Sequence, residues 1–303
     1  MTRGRLRLVV PPGRQGPGSL PAGAVARLDL AVSKRAGGVL PGEHRTLGVG
    51  TGTELAQLRP YEPGDDFRQL DAAASARTAI PHVRQQVPER AMTTWVVLDV
   101  SPSMAFGTGQ RLKSDVVEGV ATVTAQVAVR RGGRIAVVAA GAPESLTLPP
   151  RGGRGALAAV RRLVQDGVGP DQEAPGLTLA GALDRVRRLA SAPGLVVVAS
   201  DLRDGGWEKP LRALSTRHSL IVCEVVDPRE AELPDAGQLL LVDPETGRQV
   251  EAHTSDPRVR AAYAAAEAQR RAAAAEALRR AGADHVVLST DSDWLRELAR
   301  RLR

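Results

Sequence analysis

Asp99-Val100-Ser101-Pro102-Ser103 closes the apolar run that begins at Trp95, setting one carboxylate and two hydroxyls at every second residue. In an extended-to-turn segment, side chains two apart share a face, so this spacing aims all three at one centre. They are hard oxygen donors. One carboxylate with neutral hydroxyls suits a six-coordinate Mg2+ or Mn2+ that keeps several waters. A second apolar run, Leu195–Ser200, ends in Asp201, which brings a further carboxylate from another strand end. Thr178 follows Gly176-Leu177 directly before a helical pattern and adds a third hydroxyl. Asp99, Ser101, Ser103, Thr178 and Asp201 together make up an oxygen shell. Each also has a plainer use. Asp99 and the two Ser suit a strand-end turn that satisfies its own backbone donors. Thr178 is a good N-cap, and Asp201 could cap the helix after it.

The elements that must hold these residues are readable from Thr93 onward. Trp95–Val100 and Leu195–Ser200 are apolar runs, the pattern of strands covered on both faces, and Arg134–Ala140, Leu220–Val226 and His285–Leu288 read as further strands. Helical patterns alternate with them at 111–130, 156–164, 179–189 and 207–214. A longer one begins after Asp256-Pro257 and reaches about Ala281, and a last one is capped by Asp291 or Ser292. Strand–helix alternation predicts an α/β fold with a doubly wound, mostly parallel sheet. Ligands of such sheets bind beyond the carboxyl ends of the strands, at the switch point, where Asp99 and Asp201 should lie. Leu239–Val242 and Arg248–Ala252 flank Pro244-Glu-Thr-Gly247 and predict a hairpin.

The first 92 residues differ. Leu6–Val10 and Leu28–Val32 read as short strands in Gly/Pro-rich sequence, and residues 44–90 are irregular and polar, with no room for a long helix. A boundary at 92 therefore separates an irregular, β-containing segment, 1–92, from the α/β domain, 93–303. Within the segment stands a block of charge: Arg59, Tyr61, Asp65, Asp66, Arg68, Asp71, Arg77, Arg84 and Arg90. Its acids and arginines are expected to pair in an ionic network that docks the segment, and no catalysis is expected of them.

Two resemblances attach to these residues. Asp99-x-Ser101-x-Ser103, with the later Thr178 and Asp201, resembles the metal-ion-dependent adhesion site of von Willebrand factor type A domains. That resemblance implies hydroxyls touching the metal, Asp groups acting through water, and an acidic residue of a partner completing the coordination. The hairpin at 239–252 is extra to a minimal domain of that kind. Residues 44–104, with Arg59-Pro-Tyr61-Glu-Pro-Gly-Asp65-Asp66 and Asp71, resemble the bacterial "domain of unknown function 58" family. Ala72 stands where that family usually has Trp. The resemblance implies a cytoplasmic, non-enzymatic, metal-dependent protein–protein interaction module. Its implied partner is a MoxR-type AAA+ ATPase, with which it would act in chaperone-like maturation or activation of clients.

Other functions are weaker fits. A Mg2+-dependent phosphohydrolase could use Asp99 as nucleophile, but the second acid of an Asp-x-Asp pair is Ser101, and no Lys or His is placed to serve as acid or base. The net charge of +7 invites nucleic acid, yet three Trp, two Tyr and two Phe in 303 residues leave little to stack bases. Only Lys34, Lys113 and Lys209 among the 41 basic residues are Lys, a bias that points to codon usage rather than a nucleic-acid face. The single Cys223 excludes a disulfide framework and a thiolate zinc cage. The five His show no ligand spacing. Gly48-Val-Gly50-Thr-Gly52 and Gly107-Thr-Gly109-Gln-Arg-Leu-Lys113-Ser114 imitate phosphate loops without their glycine spacing. The basic start is cut by Pro11-Pro12 too early for a signal peptide, and no apolar run reaches the roughly 18 residues of a membrane span.

Overall fold

The structure, a computed structural model, describes residues 15–28, 55–86, 92–142, 146–167 and 176–301. The chain forms two compact units: residues 41–91, and residues 1–40 together with 92–303. The sequence boundary at 92 thus holds for one side only. Residues 22–28 form a helix (α1), and its Ala24, Val25 and Leu28 are buried in the core of the larger unit. Leu28, expected to open a strand, lies in this helix instead. Leu6–Val10 and the rest of Leu28–Val32 lie outside the described residues.

The small unit pairs β1 (Leu55–Pro60) antiparallel with β2 (His82–Gln86) around a 3-10 turn and the short helix α2 (Ala72–Thr78). Its acids divide their work. Asp65 makes a two-pronged ion pair with Arg59, at 2.6 and 2.9 Å. Asp66 and the buried Asp71 cap the 3-10 turn and α2, accepting from the Arg68 and Ala74 N–H groups. Arg68 and Arg77 are exposed, with no ion pair among the described residues. Arg84 lies in β2 opposite Leu58, and Glu89 and Arg90 lie outside the described residues. Among the described residues Arg59 pairs with Asp65 and, at 3.9 Å, with Glu62, while Asp66 and Asp71 also serve as helix caps, the local use that short Asp side chains favour. Tyr61 stacks on Phe67, ring centres 5.1 Å apart. Ala72 opens α2 and is exposed.

In the large unit the chain runs β3 (Thr93–Asp99), α3 (Lys113–Arg130), β4 (Arg134–Ala140), β5 (Thr147–Arg151), α4 (Gly153–Gly167), α5 (Leu179–Leu189), β6 (Leu195–Ser200), α6 (Glu208–Ser215) and β7 (Ser219–Val226). It continues through β8 (Gln238–Val242), β9 (Gln249–His253), α7 (Pro257–Arg280), β10 (Asp284–Ser289) and α8 (Trp294–Arg301). The six-stranded sheet has the order β10-β7-β6-β3-β4-β5 and is parallel except for β5. The order reverses between β3 and β6, so the chain winds outward in both directions from that seam. Edge strand β5 carries Pro149 and Pro150; an edge tolerates them because one side needs no ladder partner.

Two apolar layers flank the sheet. Val96, Leu98, Ile135, Val137 and Val197 pack with α1, α3, α4 and α8, while Trp95, Val97, Val138, Val196 and Val222 pack with α5, α6 and α7. Alternate residues of each strand serve opposite layers, which is why the strands are apolar on both faces. Helix α3 is buried almost all round. Gly119 in it is contacted by Trp294 of α8, and a Cβ there would lie 2.3 Å from the indole. The indole N–H bonds Pro17 O at 2.9 Å, tying residues 15–28 to the larger unit. Helix α7 buries only Ala274 and Leu278; its Ala-rich sequence and its cap, Asp256 accepting from Arg258 N–H, favour it locally. The closing helix is capped by Asp293, which accepts from Arg296 N–H, and not by Asp291 or Ser292. Among the described residues no helix is long and apolar enough to cross a membrane.

Candidate functional site at the strand ends

β3 and β6 are neighbours in register, Leu98 opposite Ala199, so Asp99 and Ser200 emerge side by side at the seam. Asp99 is 4% exposed and fully bonded. Its Oδ1 accepts from Ser101 N–H at 3.0 Å and Ser101 Oγ at 2.6 Å; its Oδ2 accepts from Ser200 Oγ at 2.5 Å. Ser101 Oγ and Ser103 Oγ are 3.1 Å apart. Because Ser101 gives its hydroxyl proton to Asp99, Ser103 must donate to Ser101. Pro102 starts a one-turn 3-10 helix that folds Ser103 back under Ser101. Gly141 packs against this turn with φ +80°, and a Cβ there would sit 2.4 Å from Ser101 N, so only glycine admits the approach.

Among the described residues no cation faces Asp99 directly. Burial, and then the Asp201 charge, push its carboxyl up to about 7. Asp201 is 3% exposed and differs: burial would raise it too, but the Lys113 ammonium overrides this and holds it below the usual carboxylate range. Lys113 is the first residue of α3 and wholly buried. Its Nζ lies 2.7 Å from Asp201 Oδ2 and 2.7 Å from Glu230 Oε1. Arg203 Nε approaches both carboxylates at 3.7 Å. Directly after Asp201, Leu202 turns the chain at φ +55°, a conformation rare for a branched residue; its N–H is held by Ser200 Oγ and its carbonyl by Arg270.

β7 ends in Asp227, which accepts from Thr108 N–H and Oγ1, Thr290 Oγ1 and Arg229 N–H at 2.6–2.9 Å. Burial opposes its ionisation, and these four donors outweigh it, holding the carboxyl low. The turn between β8 and β9 brings one more acid: Glu245 Oε1 accepts from Ser103 N–H at 2.9 Å, across 142 residues of sequence.

The structure thus gathers Asp99, Ser101 and Ser103 and sets Asp201 beside them, turned toward Lys113. Thr178 is exposed, and its Oγ1 accepts from Gly181 N–H as the cap of α5. Its strand-side neighbour Leu177 exchanges backbone bonds with Gly141 and Ala142, which keeps residue 178 in the same loop cluster. Among the described residues no three His, Cys, Asp or Glu gather as a metal cage. The donor set is one of hydroxyls around a single carboxylate.

Sequence reading missed Ser200, Lys113, Glu230, Glu245 and Asp227. Asp227 carried the same signal as Asp99 and Asp201, an apolar strand closed by Asp. Ser200 ended a run already singled out. Lys113 sat in a segment set aside as a failed phosphate loop; its ammonium turns to two carboxylates, which leaves it no role as a phosphate clamp. Lys113 was not foreseen beside Asp201. Glu230 and Glu245 had no local signal. Cys223 is a core residue of β7, its thiol pushed to about 12 by burial.

The profile of a family described as "Protein of unknown function DUF58" matches residues 57–273. The uncharacterized protein Rv1480 of Mycobacterium tuberculosis is 36% identical over 282 residues, covering 92% of this chain and 88% of its own. The uncharacterized protein MAV169 of Mycobacterium avium is 42% identical over 123 residues, 40% of this chain and 72% of its own. Among solved structures, the conserved hypothetical protein BatB from Bacteroides thetaiotaomicron aligns with 70% of this chain and 97% of its own, at 12% identity and a TM-score of 0.45.

Proposed function

The chain belongs to the family described as protein of unknown function DUF58, and from that membership and its strand-end site we propose that it is a binding module rather than an enzyme. In this reading it holds Mg2+ or Mn2+ beyond β3 and uses the ion to grip a side-chain carboxylate of a protein partner. The observation that carries the reading is the convergence of Asp99, Ser101 and Ser103 within hydrogen-bond distance at the reversal of strand order.

The residues fit a hard divalent ion. Ser101 and Ser103 offer neutral oxygens, and Asp99 offers a buried carboxylate that ionises readily only with a cation beside it. Asp201, already neutralised by Lys113, would act through water, and Thr178 would join only by leaving its cap. When bound, the ion supplies an open coordination position for a carboxylate oxygen. The chain's own work is to fix the two hydroxyls through the Pro102 turn and the Gly141 contact, and to keep Asp99 in place through Ser200. The strand order and the antiparallel β5 support a von Willebrand factor A-like reading of this unit. The partner we propose is a MoxR-type AAA+ ATPase or its client in the cytoplasm.

Isothermal titration tests the metal. Mg2+ should bind the wild type and fail to bind Ser101→Ala and Asp99→Ala; identical, null titrations sink the reading. A pull-down with purified ATPase, with and without EDTA, tests the partner.

One observation favours a second reading, a phosphohydrolase with Asp99 as nucleophile: a buried lysine does stand beside the site. Against it, both carboxylates next to Lys113 already occupy its ammonium, and no second acid stands at residue 101. Mg2+-dependent turnover of p-nitrophenyl phosphate that disappears in Asp99→Asn would establish it instead.

A further inference from the structure

The β8–β9 hairpin is a two-stranded sheet of its own, joined to no strand of the central sheet. Its Leu240, Val242 and Val250 are exposed, so little apolar burial holds it down. Its turn, in contrast, is tightly built. Asp243 accepts from Glu245 N–H at 3.0 Å and Thr246 Oγ1 at 2.7 Å, its own N–H bonds Arg248 O, and Gly247 takes φ +67°. This ordered turn carries Glu245, an exposed acid, to Ser103 N–H. A freely solvated glutamate gains little from one backbone amide, and a hairpin without a core needs a reason to lie there. The amide it reaches belongs to the residue whose hydroxyl completes the Asp99 cluster.

We propose that Glu245 is the internal occupant of the strand-end site: its carboxylate stands where a partner's carboxylate enters, and the hairpin must swing away before an acidic partner binds. The proposal rests on the metal-site reading above and adds to it the ligand's chemistry, a carboxylate presented on a tight turn, and its control. An occupant tethered this closely acts at an effective concentration on the order of millimolar, so it excludes weak acidic ligands and yields to tight ones. The competition lowers a partner's apparent affinity by the fraction of molecules with the hairpin open.

The test uses the full chain in Mg2+ and, as probe, a fluorescent cyclic peptide carrying the Asp-Pro-Glu-Thr-Gly turn of residues 243–247. Glu245→Ala should bind the probe at least tenfold more tightly than wild type, and a probe with Gln for Glu should bind neither. Equal affinity for wild type and variant, or no binding to either, overturns the proposal. Hydrogen exchange gives an independent reading. The segment 101–106 should exchange faster in Glu245→Ala than in wild type, and unchanged exchange also overturns it. The two readings fail separately. If EDTA leaves probe binding to Glu245→Ala intact, the metal reading falls while the Glu245 contact stands. If Mg2+ binds normally and exchange is unchanged, the metal stands and the occupant falls.

Discussion

The ends of β3 and β6 carry the same local feature, an apolar strand closed by a buried aspartate, and the surroundings give the two acids opposite characters. Asp201 meets an ammonium at 2.7 Å and stays ionised. Asp99 meets three serine donors and, among the described residues, no cation, and its carboxyl rises to about 7. One acid is a finished ion pair; the other is a negative site awaiting a positive charge. The cause is α3, which delivers Lys113 to the β6 side of the seam and leaves the β3 side to hydroxyls. A carboxylate motif is thus only half of a site, and the cation supplied by another element decides whether it is structural or open to a ligand.

The sharpest way to break this difference is to remove the cation. Lys113→Met leaves the buried Asp201 and the half-buried Glu230 with only Arg203, 3.7 Å away, and should cost about 3–5 kcal/mol in urea unfolding. Next comes a paired substitution in EDTA. Asp201→Asn should destabilise by about 1.5–3 kcal/mol, because Lys113 loses a charged bond. Asp99→Asn should leave stability unchanged or raise it, because it removes a buried charge that faces no cation among the described residues, and it should abolish any rise in melting temperature with Mg2+. Loss of stability of the same size in both variants would erase the distinction drawn here.

A third strand end sharpens it further. Asp227 is ionised through neutral donors alone, so Asp227→Asn should cost about 1–3 kcal/mol at neutral pH. Its folded carboxyl is held below its unfolded value. The stabilisation is therefore full above the ordinary carboxylate range, near about 4, and is lost as pH falls through the lower folded value. Unfolding of wild type and variant across pH 2–7 should show the gap closing only at the acid end. The smallest effect is expected at Thr178, where Ala should cost about 1 kcal/mol, the loss of a helix cap. A larger loss of Mg2+ affinity than of stability in Thr178→Ala would instead place its hydroxyl on the ion.

Much of the fold was legible because its strands are buried on both faces. Apolar runs gave β3, β4, β6 and β7 nearly to the residue, although Glu224 interrupts the last, and capping chemistry gave the start of α7 at Asp256-Pro257. The short edge strand β5 escaped because Pro149 and Pro150 contradict any local strand signal. Helix α1 escaped because it is one of the elements packed onto α3 and α8, contacts no local pattern announces. In the small unit, charge balance pointed to the Arg59–Asp65 pair but not to the caps that Asp66 and Asp71 form with the nearest backbone N–H groups. A cap costs less side-chain entropy than reaching a distant arginine.

By itself the sequence determined the layered α/β architecture and the triad Asp99, Ser101 and Ser103, since strand periodicity places those side chains on one side of a turn whatever else the chain does. Only the tertiary structure decided what surrounds them. Lys113, Glu230, Ser200 and Glu245 arrive from four other segments, up to 142 residues away. Charge–charge and hydrogen-bond energies depend on distances of a few ångströms in a poorly solvated space. Sequence separation carries no information about such distances until the sheet order is set.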